Sequence, residues 1–323
     1  MEKAVIKDKK TGISEYAMKY GTVLFLILML IVFSILRPTT FLSLGNVLTI
    51  LRQIVILSIL GAGLTVVMIT GRIDLTIGYA ASFLGVVAGA LMVHYGVPVW
   101  ITAIITLVVG AVLGSLSGVA VAVIGIPDFI ATLSIGFLIS GVNQAYTKGH
   151  PISGMPEEFG VFGAQFFMGI PTSIFFMIIF LAIVFVLLNY TKFGRHVYAI
   201  GGNEEATMMS GVNVKKNLIL SYVVSGIGAA LAALILSSRL GTAHPTAGDD
   251  YLMEALATVY VGGTAFKNGE FNIAGTFVGA MIIGVLTNGL TLCNVQYYNQ
   301  DIAKGLVIFL AVTITSIQKT RKK

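Results

Sequence analysis

The sequence predicts an all-α polytopic membrane protein of about ten transmembrane helices, with both termini in the cytoplasm. Three observations carry this. Hydrophobic residues make up 56% of the chain and charged residues only 11%, with a mean hydropathy of +0.94. Soluble domains carry about 25% charged residues, so the apolar excess is too large for a soluble core. The apolar residues fall in long unbroken runs, whereas a transmembrane barrel would alternate polar and apolar positions. Basic residues cluster in three places. Lys3, Lys7, Lys9, Lys10 and Lys19 precede the first run, and Lys192, Arg195, Lys215 and Lys216 flank a central polar stretch. Lys319, Arg321, Lys322 and Lys323 follow the last run. Basic loops beside membrane spans stay inside, so all three clusters mark the cytoplasmic side. A net charge of +6 placed at span ends orients the chain and meets anionic lipid. It does not point to nucleic acid.

The elements follow with a window of about 20 apolar residues per span. Residues 1–19 form a basic cytoplasmic segment. Tyr20–Leu36 is the first span; it is too long for a signal-peptide core, and no Ala-x-Ala site follows it. Leu44–Thr70 is the second, with Asn46, Arg52 and Gln53 near its start. Gly71 to Gly78 then interrupts the apolar pattern. Tyr79–Val93 and Val99–Ile124 are the third and fourth, with Tyr95 and Trp100 placed as interfacial anchors. Ile126-Pro127-Asp128 breaks the fourth, and Phe129–Tyr146 is the fifth. Lys148 to Gln165 reads as a Gly/Pro-rich external loop, and Ile170–Asn189 is the sixth span. After the central stretch come Asn217–Ile235, a polar break from Ser237 to Asp250, Tyr251–Phe266, a turn at 267–270, Ile273–Leu292 and Asp301–Ile317. A basic tail, 318–323, closes a single transmembrane domain spanning 20–317. Six spans before the central stretch and four after it put both termini, that stretch and Lys267 on one side.

Glycine spacing suggests an internal repeat. Gly110, Gly114 and Gly118 lie four apart, and Gly275, Gly279 and Gly284 make a similar stripe in the second half. Such stripes let helix backbones approach closely. The two predicted spans run in opposite directions, as inverted-topology repeats require. Glycine stripes also occur in membrane helices without any repeat.

The central stretch, 190–216, is the longest polar interval between the apolar halves. Asn203 is a natural N-cap, and Glu204 and Glu205 fall in the first turn, where the helix dipole favours negative charge. Gly211 suits the left-handed C-terminal position. Ala206, Met209 and Val212 give this short helix an apolar face that suits docking in a partner's groove. Two other readings stand beside it: a solvated loop, or a phosphate cradle at Gly201-Gly202. No Walker-type lysine follows those glycines.

Ionisable groups within spans are costly in lipid and therefore functional candidates. Asp74 sits in the Gly-flanked interruption with Arg72 two residues before it. Asp128 follows Pro127, and Glu254 follows Asp249-Asp250. Helix N-capping is the alternative for Asp74 and Asp128, and a first-turn position is the alternative for Glu254. No catalytic or metal constellation appears: His94, His150, His196 and His244 are scattered, and Cys293 is the only cysteine. The chain also lacks a nucleotide-binding loop and a row of buried carboxylates for a proton relay.

Several stretches together resemble a known family. They are Gly71-Arg72-Ile73-Asp74-Leu75-Thr76-Ile77-Gly78, Phe129-Ile130-Ala131-Thr132-Leu133, Phe193-Gly194-Arg195, Ala199-Ile200-Gly201-Gly202-Asn203-Glu204, Ser210-Gly211-Val212-Asn213-Val214, Pro245-Thr246-Ala247-Gly248, Val261-Gly262-Gly263-Thr264 and Asn288-Gly289-Leu290. From about Leu36 onward the chain is similar to the permease subunits of bacterial ABC sugar importers of the ribose type. The resemblance implies a dimer of permease subunits, two partner ATPase subunits that use ATP-Mg, and a periplasmic or lipid-anchored sugar-binding protein. It implies no cofactor, metal or enzymatic activity in this chain. It implies that Gly201, Gly202, Asn203, Glu204, Glu205, Ala206, Ser210 and Gly211 form the helix that couples to the ATPase. Thr132, Thr246 and Asn288, inside these stretches, join Asp74, Asp128 and Glu254 as candidates for the translocation path or its gate. Arg72 departs from the family pattern, which has a small residue there; a pair with Asp74 is one reading of it. Ribose is the expected cargo, with a hexose, polyol or nucleoside, or an ion-driven sugar carrier, as the alternatives.

Overall fold

The computed structural model describes residues 11–265 and 270–320 and is helical almost throughout. The lysines before Thr11, the turn at Lys267 and the residues after Thr320 lie outside the described residues. Twelve helices follow one another among those described. They are α1 (Thr11–Leu36), α2 (Leu44–Ile69), α3 (Ile77–Val93), α4 (Val99–Val119), α5 (Asp128–Thr147), α6 (Thr172–Tyr190), α7 (Lys192–Gly202), α8 (Glu204–Met209), α9 (Val214–Leu240), α10 (Tyr251–Gly263), α11 (Ile273–Leu292) and α12 (Tyr297–Thr320). Six stretches are long and apolar enough to cross a membrane: α2, α4 with the π turn that extends it to Ile124, α5, α6, α9 and α11. Gly21–Leu36 and α3 are apolar but shorter.

α2 is the centre of the bundle. Every residue from Ile54 to Ile69 is buried, as expected for a helix that is apolar all round. α9, α11, α10 and α6 surround it, and α9 also packs on α3 and α4. The glycine stripes sit at these crossings. A Cβ at Gly110 would lie 2.5 Å from the Gly226 carbonyl, and one at Gly114 would overlap the Tyr222 carbonyl, so α4 and α9 meet backbone to backbone. In the second stripe, Gly275 and Gly279 lie against Gly262 and Thr258 of α10, and Gly284 lies against Ile54 of α2.

Two helices are interrupted. α2 ends at Ile69, and an extended segment leads into α3. α9 ends at Gly241, with φ of +68°, and a second irregular segment leads into α10. The polar break expected from Ser237 thus begins four residues later. Ser237 and Ser238 belong to α9, and the Ser238 hydroxyl is spent on the 148–165 loop. It donates to Phe159 O at 2.7 Å and accepts from Gly163 N at 3.0 Å. That loop is ordered by two short strand pairs: β1 (Ile152–Ser153) with β4 (Thr242–Ala243), and β2 (Phe166–Phe167) with β3 (Ile170–Pro171). The last helix opens at Tyr297 rather than Asp301. Tyr95 and Trp100 are both exposed, and Cys293 is free and partly buried.

Candidate functional site

The expected docking stretch falls on two short helices that share one residue. α7 starts at Thr191, whose Oγ1 accepts from Gly194 N at 3.3 Å. It buries Gly194, Val197 and Ile200. Backbones press close on this face: a Cβ at Gly194 would overlap the Leu188 carbonyl, and one at Gly201 would overlap the Ile69 carbonyl at the end of α2. Asn203 then closes α7 and opens α8. Its N–H donates to Ala199 O at 3.0 Å, and its Oδ1 accepts from Ala206 N at 2.9 Å. Glu204 and Glu205 occupy the first turn of α8. Gly211, with φ of +82°, turns the chain out of it, and Asn213 caps α9 by accepting from Lys216 N at 2.9 Å.

Lys192–Gly202, for which the sequence carried no expectation of secondary structure, is the helix α7. Gly201 and Gly202 form its last turn, and the close pass of Ile69 at Gly201 leaves no phosphate cradle. On α8 the buried residue is Thr207, whose hydroxyl donates to Asn203 O at 2.7 Å, while Ala206 is exposed. Met208 and Met209, 60% and 87% exposed, also lie outward. Nothing lies within 4 Å of a Cβ at Gly202. Gly201→Val is therefore expected to destabilise the subunit by more than the about 1–3 kcal/mol of ordinary overpacking, because the obstacle is the Ile69 carbonyl, and Gly202→Trp by less than about 0.5 kcal/mol. Thermal unfolding of each variant in detergent checks the contrast.

The segment 71–76 lies behind α8 and is held from four directions. Arg72 Nη2 donates to Glu204 Oε2 at 2.8 Å. Arg72 thus pairs with the docking helix and not with Asp74. Ile73 N donates to Asp128 Oδ2 at 2.6 Å, and Ile73 O accepts from Tyr222 OH at 3.0 Å. Leu75 N donates to Thr132 Oγ1 at 3.1 Å, and that hydroxyl donates to Asp128 O at 2.7 Å. Asp74 is buried, accepting from Ser225 Oγ at 2.7 Å, from Thr76 N at 2.9 Å and from the Thr76 hydroxyl. Neither aspartate is a helix N-cap: α3 starts at Thr76 without a side-chain cap, and Asp128 is the first residue of α5 with its carboxylate turned to Ile73. A segment outside regular structure cannot satisfy its own N–H groups, and these side chains replace the missing helix bonds. Ser225 lies eleven residues into α9, about 16 Å along it.

The two interruptions meet across α3. Ser82 Oγ donates to Asp249 Oδ1 at 2.6 Å and accepts from Gly248 N at 2.8 Å. A Cβ at Gly248 would lie 2.6 Å from Gly78 O. The remaining candidates are dispersed. Thr246 is exposed and faces His244 Nδ1 at 3.2 Å. Asn288 exchanges two amide bonds with Asn46, at 2.9 and 3.0 Å. Glu254 stands in the first turn of α10 and accepts from Lys304 Nζ at 2.7 Å. So Asp74, Asp128 and Thr132 share one site, whereas Thr246, Glu254 and Asn288 do not. Tyr222, Ser225 and Ser82 were missed, since a lone hydroxyl on an apolar helix has no local signal. Among the described residues no group of acidic, histidine or cysteine side chains could hold a metal ion.

Residues 46–312 match the family described as branched-chain amino acid transport system / permease component. The chain is similar to the ribose import permease protein RbsC of Haemophilus influenzae, at 39% identity over 96% of this chain and 97% of that one. RbsC of Bacillus subtilis is 38% identical over 97% of each chain. The galactose/methyl galactoside import permease protein MglC of Escherichia coli is 33% identical over 95% and 96%. No solved structure matches the chain.

Proposed function

The chain belongs to the branched-chain amino acid transport system / permease component family, and we propose that it is the inner-membrane permease subunit of an ABC importer that moves ribose into the cytoplasm. The observation that carries this is the 39% identity to a ribose import permease across nearly the whole of both chains. ATP-Mg is bound and hydrolysed by partner ATPase subunits, and this chain catalyses no reaction. A sugar-binding protein delivers the cargo from outside, and a second permease subunit completes the membrane part.

Ten helices cross the membrane in this reading: all except α7 and α8. The pairing of helices supports an inverted repeat. α2 and α9 pack on each other, α3 and α4 pack on α9, and α10 and α11 pack on α2. Each half thus carries a long helix, an interruption, a shorter helix and a glycine-striped helix. Interrupted helices that meet near the midplane are the usual place for a transport site.

The coupling residues Gly201, Gly202, Asn203, Glu204, Glu205, Ala206, Ser210 and Gly211 face the ATPase on the cytoplasmic side. Closure of the ATPases moves α8. The Arg72–Glu204 pair and the backbone contact at Gly201 pass that motion to the 71–76 segment, which Asp74, Asp128 and Thr132 tie to α9 and α5. The test is reconstitution of the chain with its co-purifying ATPase and binding protein in proteoliposomes. Ribose uptake should require ATP and the binding protein. Uptake that follows an ion gradient without ATP would replace this reading with a carrier.

A further inference from the structure

A groove of about 370 Å³ runs between α4 and α6. It exists because α4 packs on α9 whereas α6 packs on α2, which leaves a gap between them. Trp100 and Ile104 of α4 stand on one wall, Ile179 and Ile183 of α6 on the other, and Leu231 and Leu234 of α9 form the floor. Phe162 of the 148–165 loop closes one end. Its ring centroid lies 5.6 Å from that of Trp100 and 5.2 Å from that of Phe176. No lining residue is charged, and the Trp100 indole N–H is the one polar side-chain group there. Left empty, such a slot deprives its walls of dispersion partners.

Three observations point to the occupant. The first is continuity with the outer surface of the spans. Trp100, Ile104, Val108, Val112 and Leu116 lie four apart on one face of α4, and all are exposed. That stripe is about 24 Å long, most of a hydrocarbon layer about 30 Å thick. Ile178, Ile179, Ile183 and Val186 of α6 are exposed beside it, and both helices are long and apolar enough to cross a membrane. The second is residue size. Helices associate in lipid through small residues, but Gly110, Gly114 and Gly118 of α4 all face α9. The groove presents large side chains instead, with Ala103 the one small residue of its lining, so it suits a flexible chain better than a second helix. The third is length. From Trp100 to Leu107 the groove follows α4 for about 10 Å, within the roughly 15 Å that one leaflet contributes to the layer. At its closed end the Trp100 N–H has no partner among the described residues, and the side chain is 60% exposed. Tryptophan favours the level where hydrocarbon meets headgroup, and a lipid ester carbonyl there would accept from that N–H.

We propose that the groove between α4 and α6 is a seat for one acyl chain of a membrane phospholipid, with Trp100 at the level of its ester group. The lipid fills the gap that the divergent packing of α4 and α6 leaves. The seat is independent of which solute the chain moves.

The test reads Trp100, the only tryptophan of the chain, in the full-length protein. The protein is equilibrated in vesicles of phosphatidylcholine brominated on its acyl chains, which quench indole emission on contact. It is then transferred to detergent and washed free of loosely held lipid. Quenching of the unaltered chain should persist, and native mass spectrometry should find brominated phospholipid still bound. Ala103→Phe, which puts a ring into the groove, should recover the emission of lipid-free protein and retain one phospholipid fewer. Full recovery of emission in the unaltered chain, or equal retention of lipid by both chains, overturns the proposal. So does a Trp100 that is not quenched even in the vesicles, because a protein surface would then cover the groove. If Ala103→Phe does not fold, Ile183→Phe takes its place with the same expected loss; Ile183 is 59% exposed, so enlarging it leaves the core packing intact.

Discussion

Glu204→Arg is expected to abolish ATP-driven uptake while changing the stability of the permease by less than about 1 kcal/mol. The two magnitudes separate two roles of one carboxylate. Glu204 pairs with Arg72 at 2.8 Å, and the two side chains are 45% and 35% exposed. Ion pairs that wet contribute about 0–1 kcal/mol, so neither loss nor reversal of the charge unfolds the subunit. Uptake depends on something larger. Glu204 opens the six-residue helix that also presents Met208 and Met209 to the outside, and in the proposed importer a reversed charge there would meet the partner ATPase. ATP hydrolysis should then continue without sugar movement. The exchange Arg72→Glu with Glu204→Arg sharpens the test. Uptake restored by the exchange would mean that the internal pair carries the coupling. Uptake still absent would mean that the ATPase reads the carboxylate directly. Normal uptake in Glu204→Arg alone would remove α8 from the mechanism.

Gly114→Leu should yield no folded protein, whereas Gly141→Leu should be neutral. A side chain at Gly114 overlaps the Tyr222 carbonyl, while nothing lies within 4 Å of a Cβ at Gly141. Both replace glycine by leucine within apolar helices, so propensity cannot explain a difference. Overpacking a side-chain contact costs about 1–3 kcal/mol, and here the obstacle is backbone, which cannot rotate away. α4 would have to separate from α9 along their whole shared length. The damage would spread, because the Tyr222 hydroxyl also holds Ile73 O at 3.0 Å. Yield and monodispersity after detergent extraction read the outcome; equal profiles for the two variants would refute the close-approach role of the stripe.

Much of the bundle could be read from the sequence, because local physics sets it. Apolar runs fixed α2, α6 and α11 to within two residues, and the caps at Asn203 and Gly211 are single-residue chemistry. The misses have one cause, which is that partners distant in sequence leave no local trace. Arg72 reads as a neighbour of Asp74 in the chain, yet its partner lies 132 residues away. Asp74 and Asp128 look like helix starts, but they serve the N–H and hydroxyl groups of other elements. Gly194 and Gly201 leave no local sign of their role, which is to make room for the Leu188 and Ile69 carbonyls. Ser238 looks like a loop residue, but it belongs to α9 and binds the 148–165 loop through Phe159 O and Gly163 N.

The sharing of Asn203 between α7 and α8 has a consequence for how this region can vary. No spacer exists between the two helices, so their rotational phase is locked. Inserting or deleting one residue at the joint would turn α8 by about 100°. Met208 and Met209 would then leave their outward position, and Glu204 would swing away from Arg72. The joint behaves like a crank with a fixed throw: its length is set by one asparagine, and only its angle to α2 is set by packing. Chimaeras that exchange docking segments between permeases should therefore be spliced beyond Gly211, where the chain has already turned, and never between Gly202 and Glu204.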